Sequence, residues 1–177
     1  EAFFDPLYFF LVKLEKILIA APWPIILVIV AGLAYLGSRS WKLALGSVLS
    51  FVIIGSFGMW RAMMATISLI SVATVICIAI GIPIGILMSR YDRVQAAITP
   101  VLDLMQTIPI FVYLLPVVML LGIGRVPGLI AVIVYALPPI IRLTNLGIRL
   151  VDKDVLEAAD AFGSDYRQKL FSVQIPL

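Results

Sequence analysis

Charged side chains are scarce in this chain, and their positions limit where chemistry can occur. Two groups stand out. Asp103, Gln106 and Thr107 lie together in an apolar stretch between Pro100 and Pro109, and Arg142 lies near the end of another such stretch. A charge at that depth needs a partner, and an ionisable residue in an apolar span is read first as functional. Asp103 and Arg142 can form a structural ion pair with each other. Alternatively Asp103, Gln106, Thr107 and Arg142 line a path for a polar solute; both readings stand at this stage. The second group is Glu157, Ala158 and Ala159, followed by Gly163, within residues 152–177, the one long polar stretch.

Other chemistries are excluded by what is missing. The chain has no histidine, so histidine-based catalysis and the usual zinc sites are absent, and no metal is expected. Its one cysteine, Cys77, sits in an apolar run, with no disulfide framework and no redox motif. There is no Ser-Lys or paired-Asp constellation for an intramembrane enzyme. Nothing follows the G-x-x-x-x-G-K-[ST] pattern, so this chain cannot cradle ATP. No cofactor, no enzymatic activity and no nucleic-acid partner are expected of it.

The elements that carry these residues must live in lipid. Of 177 residues, 63% are hydrophobic and 13% charged, against about 25% charged in a soluble domain. The mean hydropathy is +1.15. Residues 1–16 mix aromatics with charges and are read as a helix in the membrane interface. Five apolar spans follow, at 17–38, 43–60, 62–89, 94–124 and 126–148, judged against roughly 20 residues needed to cross about 30 Å of hydrocarbon. The second is the weakest because of its length and its glycines, Gly46, Gly55 and Gly58. The fold class is therefore all-α, a polytopic membrane helix bundle forming one domain, with two N-terminal spans in 17–60 and three core spans in 62–148. Placing residues 152–177 in the cytoplasm puts nine lysines and arginines inside and four outside, the expected bias.

Local chemistry refines this picture. Three prolines, Pro100, Pro109 and Pro116, predict a broken fourth span, tolerated only where protein or water satisfies the freed backbone. Gly81 and Gly85, four apart with Pro83 between, offer a face where another helix can come close, or simply reflect how common glycine is in membrane helices. Tyr113, Phe111 and Tyr135 can give cation–π contacts or pack against lipid and protein. In the polar stretch, Asp154 is expected to cap a helix over residues 155–162, with Glu157 completing a capping box. Gly163 suits the left-handed residue that ends it, and Ser164 is the expected cap of a second helix. By composition alone this is a surface helix without a partner.

Its spacing says more. Glu157-Ala-Ala, three residues, Gly163, nine residues and then Val173, Gln174, Ile175 and Pro176 resembles the E-A-A, G, I-x-L-P loop of ABC-importer permeases, with apolar replacements at Val173 and Ile175. The segments around Asp103, Met105, Gln106 and Thr107, around Gly122 to Gly128, and from Leu137 through Pro138, Pro139 and Arg142 to Thr144 resemble the branch that imports glycine betaine and proline betaine. The match covers residues 60–177; residues 1–60 match loosely. The resemblance implies a type I importer permease fold with a cytoplasmic coupling helix. It implies coupling through Glu157, Ala158, Ala159 and Gly163 to an ABC ATPase subunit that binds ATP and Mg. A substrate-binding protein and a second copy of the permease complete the implied partners, and the implied location is the bacterial inner membrane, with the loop cytoplasmic. Choline- and carnitine-type relatives share much of this pattern. The chain is expected to be a fragment at both ends.

Overall fold

A computed structural model describes residues 5–175. Among them the regular structure is helical: α1 Asp5–Ala20, α2 Trp23–Ser38, α3 Trp41–Ser56, α4 Trp60–Arg90, α5 Asp92–Thr107, α6 Ile110–Leu121, α7 Arg125–Leu150, α8 Lys153–Ala161 and α9 Tyr166–Gln168, which continues as a π-helical turn over Lys169–Gln174. By its internal contacts the chain divides into two compact units, Glu1–Val72 and Ala73–Leu177.

In the first unit, α2 and α3 form a hairpin. Arg39 turns the chain with φ 51°, and its N–H closes on Tyr35 O at 2.8 Å. Ser47 and Ser50 return their hydroxyls to the carbonyls of Leu43 and Gly46, both at 2.9 Å, so neither is left unsatisfied in lipid. The expected first span, 17–38, is not one helix. α1 takes its first turn, and the chain then bends by 106° before α2. Pro22 and Pro24 cause the break: proline has no N–H to continue the ladder and fits only the start of the next helix. The expected second span, 43–60, begins and ends earlier, because Gly58 at φ 73° closes it and Trp60 starts α4. α2 and α3 have 16 residues each, about 24 Å of helix and short of the roughly 30 Å hydrocarbon core.

The second unit carries the polar residues. α4 and α7 are long and apolar enough to cross a membrane on their own. They run parallel, since contacts advance together along both: the Cys77 thiol to Ile133 O, Gly81 to Ile140, Gly85 to Thr144, and Met88 O to Arg149. The glycine face expected on α4 is therefore used. A β-carbon at Gly81 would meet Ile140 Cγ2 at 2.7 Å, and one at Gly85 would meet Ile141 O at 2.9 Å. Helices without a hydrophobic drive in lipid associate by this kind of close packing. α4 runs unbroken through Pro83. α5 returns antiparallel to α7, and Met88, Leu102 and Ile141 form a buried cluster flanked by Ile84, Ile98 and Leu137. The expected break of the fourth span is present: α5 and α6 meet at 86°.

Candidate functional site

The break leaves a specific gap. Met105 C=O would normally accept from the N–H of residue 109, but that residue is Pro109. The Tyr113 hydroxyl, one turn into α6, donates to the Met105 carbonyl instead. Thr107 Oγ1 donates to Leu104 O at 3.2 Å, and Ile108 N–H to the same carbonyl at 3.2 Å. The corner between α5 and α6 is thus hydrogen-bonded by its own side chains. Tyr113 spends its hydroxyl on this repair. Phe111 and Tyr135 are exposed, as is Gln106.

One turn before the corner, Asp103 pairs with Arg142. Their side chains are 55% and 39% exposed, so the pair is partly accessible. Arg142 Nε is buried and has no hydrogen-bond partner among the described residues. The two residues weighed from the sequence as an ion pair are thus brought together. At the ends of the same two helices a second pair forms: Arg149 Nη2 donates to Asp92 Oδ1 at 2.7 Å. The same nitrogen caps Met88 O at 2.9 Å, one of the last four carbonyls of α4, and Nε donates to Asn145 Oδ1 at 3.1 Å. Sequence reading missed this three-helix knot. Its available signal was Asp92 at the start of one span and Arg149 at the end of an antiparallel one.

The polar segment begins just after that knot. Its cap is Asp152, not Asp154: Asp152 has extended backbone and accepts from Asp154 N–H at 2.9 Å, while Asp154 is already helical. Glu157 thus lies two positions past the capping-box place, exposed on α8 beside exposed Ala158. Gly163 takes φ 76°, as its role as helix terminator requires. The second cap is Asp165 rather than Ser164. Asp165 accepts from Gln168 N–H at 2.7 Å and Gln168 Oε1 accepts from Asp165 N–H at 2.9 Å, a complete capping box. Lys169 pairs with Asp160, clipping the π-helical turn to α8. Arg90, at the end of α4, lies 4.2 Å from the Tyr166 ring centroid. Gln174 and Ile175 line a 270 Å³ groove with Ile82 and Ile86 of α4 and Leu143, Thr144, Gly147 and Ile148 of α7. The segment is therefore attached to both long helices, not loose on the surface. Pro176, the last residue of the spacing pattern, lies outside the described residues.

Long apolar helices, a proline-broken span carrying an ion pair, and a capped polar segment seated on the ends of two spans are features of a multi-pass membrane protein. Residues 78–177 match the family described as binding-protein-dependent transport system inner membrane component, and the chain belongs to that family. It is similar to the glycine betaine/proline betaine transport system permease protein ProW of Escherichia coli (strain K12), 44% identical over 97% of this chain and 48% of that protein. It is similar to the glycine betaine/carnitine transport permease protein GbuB of Listeria monocytogenes, 42% identical over 88% of this chain and 56% of that protein. The glycine betaine transport system permease protein OpuAB of Bacillus subtilis is 47% identical over 76% of this chain and 48% of its own length. The chain spans about half the length of these relatives.

Proposed function

We propose that this chain is the membrane-spanning part of an ATP-driven importer for glycine betaine, proline betaine and similar quaternary amines. It would work with a separate ATPase subunit, a substrate-binding protein and a second copy of the permease. The observation that carries this reading is the segment from Glu157 to Gly163: an exposed helix ended by a left-handed glycine and tied to α4 and α7 through Arg90 and the groove around Gln174. Force applied to such a segment reaches two spans together, a rigid-body switch. The cluster of Arg90, Arg93, Arg149 and Lys153 at the same end supports a cytoplasmic placement. The names of the relatives supply the solute class, and Asp103, Gln106, Thr107 and Arg142 are the proposed path. Carnitine and choline, close chemical kin, are the nearest alternative solutes. An ion-coupled carrier would need Asp103 to bind a simple cation, which would leave Arg142 without its carboxylate partner.

The test is uptake of radiolabelled glycine betaine by cells carrying the full system, with and without the ATPase subunit. Loss of uptake with the ATPase is expected, together with co-purification of the ATPase and a binding protein. Uptake that survives deletion of the ATPase and stops when the sodium or proton gradient collapses would overturn the importer reading.

A further inference from the structure

Two arginines of α7 pair with α5, and they are held differently. Arg149 has three acceptors, on Asp92, Met88 and Asn145. Arg142 holds one carboxylate, that of Asp103, while its buried Nε has no hydrogen-bond partner among the described residues. A guanidinium presents five N–H donors in a fork shaped for carboxylates, and Arg142, with one acceptor against three for Arg149, keeps more of them open. Depth separates the two pairs as well. At helical rise, Asp103 lies about 16 Å from the start of α5 and Arg142 about 12 Å from the end of α7. The pair therefore lies about three turns further along α5 and about two turns further back along α7 than the Asp92–Arg149 pair.

Building on the importer reading, we infer that the Asp103–Arg142 pair is a binding site for a zwitterion within the membrane. The solute carboxylate takes the fork of Arg142, and its quaternary ammonium, which has no N–H to donate, takes the charge of Asp103. One internal ion pair is exchanged for two pairs with the solute, and at no stage does a charge stand alone in a low-dielectric site, the state that costs most. A cation of similar size without a carboxylate can satisfy Asp103 only and strands Arg142. A simple anion strands Asp103. The site therefore discriminates by net charge and selects neutral zwitterions over cations.

The experiment uses the full-length permease–ATPase complex in lipid nanodiscs, without the binding protein. Saturation-transfer NMR reads the methyl protons of glycine betaine and of choline, since it suits weak binding. Wild type is expected to bind glycine betaine in preference to choline. Arg142→Gln is expected to shift the ratio of the two dissociation constants at least tenfold toward choline. The double variant Asp103→Asn/Arg142→Gln leaves no stranded charge, so it folds without the pair; it is expected to lose glycine betaine binding at least tenfold while still co-purifying with the ATPase. Wild-type affinity in that double variant, or no binding by a wild-type complex that supports uptake in cells, overturns the inference. Absence of ATPase-dependent uptake in the wild type overturns the importer reading itself, so the two failures are distinct.

Discussion

Gly85 and Thr144 lie so close that α4 and α7 meet there almost backbone to backbone. A β-carbon at Gly85 would fall 2.5 Å from Thr144 Cβ and 2.9 Å from Ile141 O. One turn earlier, at Gly81, the obstacles are side-chain atoms, Ile140 Cγ2 at 2.7 Å and Cβ at 3.3 Å, with no backbone atom among the three nearest. At Gly147 nothing lies within 4 Å. Alanine substitutions should therefore destabilise in the order Gly85, Gly81, Gly147. Gly85→Ala is expected to cost about 1–3 kcal/mol, as overpacking does, and Gly147→Ala close to nothing. Thermal unfolding midpoints of the purified permease check the order; equal midpoints for all three would reject the close contact.

The Tyr113 hydroxyl matters because Pro109 supplies no N–H to Met105 O. Tyr113→Phe should cost about 0.5–1.5 kcal/mol, the net worth of a hydrogen bond. Pro109→Ala restores a donor to that carbonyl, so in its background Tyr113→Phe should be nearly silent. A double-mutant cycle measures this coupling; additive effects would mean that the hydroxyl and the proline are unrelated.

At the Arg149 knot, the partners are unequal. Asp92 is 88% exposed in its side chain and its pair with Arg149 is screened by water, so Asp92→Asn should change stability little. Arg149→Ala leaves buried Asn145 and the Met88 carbonyl without their donor and should cost about 1–3 kcal/mol. The difference between the two unfolding midpoints is the readout.

Gly163 faces open space but has φ 76°, so only its backbone resists substitution. Gly163→Ala should cost about 1–2 kcal/mol from the left-handed conformation, and Gly163→Asn less. The expected functional effect is larger than the stability effect, because the turn aims α8. Transport per purified complex, compared with unfolding midpoint, separates the two.

Under the importer reading, Glu157→Lys reverses a charge on the exposed face of α8 without touching a buried contact. ATP hydrolysis by the reconstituted complex should persist while solute uptake falls at least tenfold. Uptake at the wild-type level would count against coupling through Glu157.

Residue types and spacing were enough to place the chain in lipid, to mark the proline break, the close-packing glycines and the helix end at Gly163, and to tie 157–176 to importer permeases. Those features are local or compositional: a proline lacks its N–H in any fold, and a 63% hydrophobic chain has no soluble solution. The caps at Asp152 and Asp165 were missed by one or two positions, because neighbouring Asp and Ser residues compete for the same role and local preferences nearly tie. Folding alone could show that Asp103 meets Arg142, since those residues are 39 apart and come together only when α5 folds back along α7. The same holds for the knot that joins Arg149 to Asp92 and Met88, and for Arg90 against Tyr166. Partners distant in sequence are chosen by helix register and direction, which no window of neighbouring residues encodes.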